Sequence, residues 1–581
     1  MKILIFILLF LNFCVTHCIN EKNENIPRSL FSKTFNTVSS IEVYKDSVKI
    51  NNGDIITDSI DSFSSKNYSF SIKNISAKTV NSPVFTGSNS LIYLKKDTKS
   101  FNSNVLLNSS TSFGLTVTSP LYEDSLLYNI NIKTDSETFA FSIKLTVNKK
   151  NAYDRTFSLE WSKASSESSV SGCTARYSGA SAVDEDKNLY TVGQSDCSLN
   201  GTNLNINSSS MAFLVKYDTD GNKLWTKTFD GTAVTLGSAR ATGIIYDYTN
   251  QNIIISIVSS HDTFLGITKP TSGTYLYLIK IDKDGNIIKT ANYGASGVSF
   301  GSDTFLYFNQ FEEKALYVSS SVTNSIDGIA ITGVSDLYFA KFDLDLNRTW
   351  TKLLGVSTKI TSGKSITSSL IGEIYVTGNT TGNLDGQIRS GIQDCFTIKY
   401  DLNGSRIWTK LLGTAAATCT GSSISTLNDN NVYVLSSIDK SINGQTVNGV
   451  MNSVYYKYDS SGNLQWTRLL GNGGATYPYT PIPFTSAAYI LNSVLSIGVS
   501  TVGLDGKTMT GTAAGFFASY DTDGNRYTSN TQVLSSGNIN GFTSLYFFGN
   551  EMFITGFTNS AYSGMTVSGG QDYIIHKFNI K

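Results

Sequence analysis

The sequence predicts an all-β chain: a β-sandwich over residues 39–148, then a closed ring of small antiparallel sheets over 155–581. Three observations predict it. A turn-and-strand segment recurs six times along the last two-thirds of the chain: YDTDGNKLWTK (217–227), IDKDGNIIKTA (281–291), FDLDLNRTWTK (342–352), YDLNGSRIWTK (400–410), YDSSGNLQWTR (458–468) and YDTDGNRYTSN (520–530). Their aspartates, 218, 282, 343, 401, 459 and 521, are separated by 64, 61, 58, 58 and 62 residues, the signature of a repeat architecture. The array also begins and ends in half a unit. Finally, residues 39–148 alternate apolar and polar with a period of two.

Each unit reads as an apolar strand, a tight turn and a Trp strand. In the first, Phe213–Tyr217 is the strand, Asp218–Asn222 the turn, and Leu224–Lys227 the return. Asp-x-Asp-Gly-Asn is turn chemistry, because Asp caps its own backbone and Gly or Asn accepts positive φ. Two further strand candidates lie between successive Trp strands: Ser365–Leu370 and Glu373–Thr377 in the fourth unit, Ser181–Val183 and Leu189–Val192 in the first. A sheet then runs inner strand, second strand, KYD strand, outer Trp strand. RTFSLEWSK (155–163) has Trp161 without a KYD strand, and DYIIHKFNIK (572–581) is a KYD-like strand without a Trp strand. The two halves complete one sheet, which predicts a closed seven-bladed β-propeller rather than an open stack with polar caps.

The WTKLLG, IYVTG, LDG and KYD-NG segments resemble the bacterial SBBP family of seven-bladed β-propeller repeats, most closely at 372–413, GEIYVTGNTTGNLDGQIRSGIQDCFTIKYDLNGSRIWTKLLG. The likeness spans 155–581. It thins in the second unit, where Lys289 replaces Trp and the LDG turn is absent, and in the last, where Thr528 stands at the Trp position. The resemblance implies a propeller outside the cytoplasm and implies no reaction.

In the leading domain, Tyr68, Phe70 and Ile72 alternate with serines. Tyr128, Ile130 and Ile132 alternate with asparagines, and Phe139, Phe141, Ile143, Leu145 and Val147 form the clearest run. Seven to eight such strands in about 110 residues predict an immunoglobulin-like sandwich. NNGDIITDSIDSFSSKNYSFSIKNIS (51–76) is similar to Hydin-like immunoglobulin domains, and Asn148–Arg155 reads as a linker.

The N-terminus reads as a signal peptide over 1–18, with Lys2 before the apolar Ile3–Phe13, followed by a polar tether over 19–38. Cys18 stands where a bacterial lipoprotein is acylated; Val15 suits such a site and His17 does not, and Cys14 is the weaker candidate. Ordinary cleavage nearby is the alternative. The expected location is therefore an outer-membrane or cell-surface lipoprotein, or a secreted protein. The 581 residues carry zero formal net charge with 15% charged residues, which lacks the basic footprint nucleic acid requires. Export suits the remaining cysteines. Cys173 and Cys197 are separated by 24 residues, as are Cys395 and Cys419, and strand direction puts all four on one face of the ring. The expectation is Cys173–Cys197 and Cys395–Cys419 disulfides, with four free thiols as the alternative.

Candidate sites are weighed against plain structure. The Asp-x-Asp-Gly turns resemble calcium loops at Asp218/Asp220 and Asp521/Asp523. The twelfth position, however, is Phe229, Tyr293 or Gln532 where a bidentate Glu is needed, so hairpin turns are favoured. The Trp series (161, 225, 350, 408, 466) suits either sugar stacking or packing between blades, and packing is favoured. Asn200-Gly201, Asp327-Gly328, Asp385-Gly386, Asn443-Gly444 and Asp505-Gly506 predict small hairpins decorating one face. Histidine is confined to 17, 261 and 576, so no zinc spacing exists, and a Ser-His-Asp site is conceivable only around His261, without a nucleophile motif. No catalytic, cofactor-binding or metal residues are assigned. The expected function is non-enzymatic binding of a protein or glycan through a propeller face, with contact to membrane only through the N-terminal anchor. The alternative is a carbohydrate-active enzyme with paired carboxylates near the ring axis.

Overall fold

The computed structural model describes residues 41–61, 65–75, 84–87, 92–93, 110–118, 125–133, 138–148 and 157–165, and 175–580 apart from intervals of which 479–492 and 561–570 are the longest. Strands dominate the described residues, and no described helix is long and apolar enough to cross a membrane. Two compact bodies are present. The described residues of Met1–Ile56, Asn67–Leu115 and Tyr128–Ser142 make the first, and those of Thr57–Lys66, Thr116–Leu127 and Ile143–Lys581 the second.

In the first body, Val43 pairs with Ile50 on one side and Ile72 on the other, in antiparallel register. The alternating Tyr68, Phe70, Ile72 and Phe139, Phe141 bury their apolar faces. Phe70 and Phe141 belong to different sheets, one of five strands and one of four, and their rings lie 5.2 Å apart. Two sheets thus meet across an aromatic core.

The second body is built of four-stranded antiparallel meanders, the repeating unit of a β-propeller. The fourth unit gives Thr361–Ser368, Ile374–Thr380, Asp394–Tyr400 and Arg406–Leu412, hydrogen-bonded in that order. The fifth gives Cys419–Thr426, Val432–Ile438, Asn452–Tyr458 and Leu464–Leu470. The third and sixth repeat the order. The first two units are joined into one larger sheet by the parallel pairs Ser208↔Gly237 and Ser210↔Ser238. The last sheet is composite: Asn540–Phe548, Glu551–Thr558, Asp572–Ile580 and then Phe157–Ser165, so the final strand pairs with the first from Phe157↔Ile580 to Ser165↔Tyr573.

Inner strands are longer than alternation suggests. They run Ala175–Val183 and Thr361–Ser368, beginning before the expected Ser181 and Ser365. Each carries a register shift, of two extra residues at Tyr177/Ala180 and one at Gly363/Ser365, and the one-residue shift recurs at Ala241/Gly243, Gly421/Ser423 and Phe542/Ser544. Where one residue is extra, as in Thr361–Ser368, it breaks the period of two, which hides the strand's first half from a pattern reading.

One expectation is corrected. The second unit does contain the small hairpin: Thr263–Phe264 pairs with Ile267–Thr268, and Leu265 and Gly266 hold φ of 54° and 76°. Leu265 takes the place of Asp in that turn, so the LDG motif is missing while its backbone is kept.

Candidate functional site

The repeat motifs converge on the joints between sheets. Each turn aspartate is occupied by its own loop. Asp459 Oδ1 accepts from the Ser461 and Asn463 N–H groups (3.0 and 2.8 Å), and Oδ2 from Asn463 Nδ2 (2.9 Å). Asp218 and Asp521 do the same with Asn222 and Asn525. Burial works to raise the Asp218 and Asp459 carboxyls, but these donated bonds outweigh it and hold both below the usual carboxylate range. Oxygens spent this way make hairpin caps. Among the described residues no group of three or more His, Cys, Asp or Glu is placed to hold a metal ion.

The tryptophans lie on the next unit's turn. A Cβ built at Gly462, whose φ is +82°, would stand 3.1 Å from the Trp408 ring. Gly524 meets Trp466 at 3.0 Å, Gly404 meets Trp350 at 3.0 Å, and Gly221 meets Trp161 at 2.9 Å. The indole N–H then donates to the turn carbonyl: Trp408 to Ser460 O (3.1 Å), Trp466 to Thr522 O (3.0 Å), Trp161 to Thr219 O (3.2 Å). The lysine of each KYD strand donates to the same carbonyls: Lys399 to Ser460 O (2.9 Å), Lys457 to Thr522 O (2.9 Å), Lys577 to Thr219 O (3.4 Å). Trp161 and Lys577 sit in the composite sheet, which therefore grips the first unit as the other sheets grip their successors.

The motif's second glycine has a different partner. A Cβ at Gly413 would fall 1.9 Å from Asp394 Oδ1, and one at Gly355 1.7 Å from Asp336 Oδ1. These buried aspartates cap the preceding loop, Asp394 receiving Ser390 and Gly391 N–H at 2.8 Å each. Sequence reading missed this pairing, although GIQD before one strand and WTKLLG after the next carry it.

The face hairpins fold against their own sheet's outer strand. Asp385 takes Arg406 and Thr409, Asp327 takes Arg348 and Thr351, and Asp505 takes Arg526 and Thr531. Asn443 instead meets Thr467, where Leu464 replaces the arginine, and Leu265 faces a unit with Ile287 at that place. Carboxylate and guanidinium are thus lost together. Gly201 lies within the corresponding Leu199↔Thr202 bridge, and Asn200 lies outside the described residues.

Around His261 the structure does assemble Ser, His and Asp. Ser208 Oγ lies 2.9 Å from His261 Nε2 and donates to Asp230 Oδ1 at 2.7 Å, while that oxygen lies 3.2 Å from the same Nε2. Nδ1 faces Ser259 Oγ at 3.0 Å. Burial works to raise the Asp230 carboxyl, and the contacts from His261, Asn205 N–H, Ser208 and Gly231 N–H outweigh it. Serine and carboxylate share one ring nitrogen, whereas a triad places them on opposite nitrogens. His261 is fully buried, with Gly231 and Gly237 packed so closely that a Cβ would sit 2.7 and 2.6 Å from it. The cluster is a strut tying the first two units. His576 is equally buried, facing Ser162 Oγ at 2.7 Å across the composite sheet. Two distant carboxylates, Glu160 and Glu551, do meet, both on Lys577 (3.1 and 3.0 Å).

Cys395 and Cys419 form a disulfide with Cα atoms 5.2 Å apart, joining the fourth unit's KYD strand to the fifth unit's inner strand. Cys197 is also disulfide-bonded. Cys14, Cys18, Cys173 and His17 lie outside the described residues. Reducing the 24-residue loop between Cys395 and Cys419 should cost about 3 kcal/mol. Denaturant titration of a Cys395→Ser/Cys419→Ser variant measures it, and an unchanged midpoint would show that the joint holds without the bond.

The SBBP β-propeller repeat family matches at residues 349–385. No curated protein matches the sequence. Among solved structures, the chain is similar to Vibrio cholerae VesB protease (12% identity, TM-score 0.14) over 17% of its own length and 31% of that chain. It is similar to Penicillium chrysogenum α-L-arabinanase complexed with arabinobiose (10%, TM-score 0.33) over 57% and 90%. It is also similar to a quinonprotein alcohol dehydrogenase-like protein from Bacteroides thetaiotaomicron (11%, TM-score 0.29) over 90% and 96%. The chain thus spans about a third of the VesB chain. At these scores the likenesses bear on neither activity nor ligand.

Proposed function

We infer that this is an exported, cell-envelope-associated binding or scaffold protein without enzymatic activity. In this reading a signal peptide over 1–18 and a tether over 19–38 precede an immunoglobulin-like sandwich over 39–148, and 155–581 is a seven-bladed ring that presents one face to a protein or glycan. One observation carries it: the groups that sequence alone offers for chemistry are engaged in holding sheets together. Turn aspartates serve their own amides, tryptophans cover glycines, and His261 is walled in. The ring is supported by the Phe157–Ser165 pairing with Asp572–Ile580, and by Trp161 and Lys577 meeting Thr219 O.

Screening the purified protein against glycans for both binding and cleavage tests this reading. Binding without turnover is the expected result. Turnover abolished by changing one carboxylate would overturn it. Mass spectrometry of the mature N-terminus should find acylated Cys18, and an unmodified start elsewhere removes the anchor.

A further inference from the structure

The two ends of the second body differ in chemistry. At one end lie the turns, where Asp218, Asp220, Asp282, Asp284, Asp343 and Asp345 stand beside exposed Lys223, Leu224, Ile288 and Ile407, so that carboxylates dominate its charge. At the other lie the loops that enter the KYD strands. There Val334, Ile392 and Val450 each stand two residues ahead of a buried Asp336, Asp394 or Asn452, and are 57%, 62% and 70% exposed. Their backbones share one register. Val334 N donates to Lys359 O (2.8 Å), Ile392 N to Ala417 O (2.7 Å) and Val450 N to Gly474 O (3.1 Å). Each aliphatic side chain therefore sits beside the entry to the following sheet, at equivalent places in three consecutive units. Ile388, 80% exposed, joins them.

The same end carries exposed Lys359, Lys440 and Lys507, with no salt bridge among the described residues. Its carboxylates are spent inward. Asp336 and Asp394 are buried on amides, Asp327, Asp385 and Asp505 hold arginines, and Asp439 Oδ1 accepts Thr418 N–H.

We propose that this loop end, across the third to sixth units, docks on an anionic lipid surface. The aliphatic groups stand on separate loop tips one unit apart, and the lysines belong to the loops of the same end. Tips so spaced enter among headgroups singly, while the lysines meet lipid phosphates. The inference rests on this sidedness alone and stands or falls separately from glycan binding.

The full chain carrying Cys18→Ser, so that no acyl group contributes, is to be co-sedimented with phosphatidylcholine vesicles with and without phosphatidylglycerol. Partition into the anionic vesicles, weakened by salt, is expected. Lys359→Glu/Lys440→Glu/Lys507→Glu lowers it about a hundredfold. Val334→Ser/Ile392→Ser/Val450→Ser lowers it about tenfold or more. Lys223→Glu, at the turn end, leaves it unchanged. Thermal melts of both triple variants, whose sites are exposed, report folding. Wild-type protein that ignores phosphatidylglycerol, triple variants that partition as wild type does, or a protein ligand held by this face without lipid affinity would each overturn the proposal.

Discussion

Alanine at Trp408 should lower unfolding stability by about 3 kcal/mol, and alanine at Lys289, the same position two units earlier, should lower it by under about 0.5 kcal/mol. The difference follows from what each side chain covers. Trp408 lies on Gly462 and donates to Ser460 O, so its removal leaves a gap between two sheets and exposes a turn carbonyl. Lys289 is exposed, and the turn facing its sheet has Leu346 at the glycine position, holding φ of 62° and itself buried. The joint there is made instead by Tyr293, whose ring lies 4.8 Å from Phe342 and whose hydroxyl donates to Leu346 O. Tryptophan and glycine therefore disappear together. Guanidinium denaturation of both variants checks this. A Trp408 variant as stable as wild type would return the tryptophan row to ligand stacking, in which case glycan affinity rather than stability would fall.

The same logic explains why Thr528 replaces tryptophan in the sixth unit. The composite sheet takes its outer strand from Phe157–Ser165, so no Asp-x-Asp-Gly turn links its last two strands and there is no turn glycine to cover. Departures from the repeat that look like decay in the sequence are matched losses across a joint.

Period and turn chemistry were legible because they are local: an Asp two to four residues from its amide donors, or strands alternating around buried Tyr68, Phe70 and Ile72, are written within one window. The Cys395–Cys419 pair was within reach because strand direction places both ends on one side. What stayed hidden couples residues about sixty positions apart, such as Trp408 with Gly462. Nor does a pattern show which oxygen a buried Asp394 turns toward its glycine. The His261 cluster joins Ser208, Asp230 and Ser259 from separate segments, and only coordinates show that serine and aspartate share one ring nitrogen. Inner-strand bulges erased the first half of those strands from the period-two signal.

Acid should loosen the composite sheet in particular. His576 pairs across it with Ser162, between the ring of Phe542 at 5.5 Å and that of Phe578. Burial there pushes the imidazole down to about 3 from an ordinary 6.5. Above pH 6.5 it is neutral whether the chain is folded or not, and it contributes no pH dependence. As pH falls from 6.5 toward 3 the unfolded chain takes up a proton that the folded chain refuses, so stability is lost across that window, by on the order of 4 kcal/mol at its acid end. Glu160 adds to the loss at the low end. Burial would raise its carboxyl, but Lys577 and Asn579 hold it below the usual range, so protonation costs the closing contact. His576→Gln keeps a partner for Ser162 and removes the titration. Unfolding free energy measured from pH 7 to pH 4 should fall less steeply in that variant than in wild type, with carboxylate contributions common to both. Parallel slopes would mean that the imidazole is reached by water in the folded protein, and that the seam between the first and last strands is looser than its register implies.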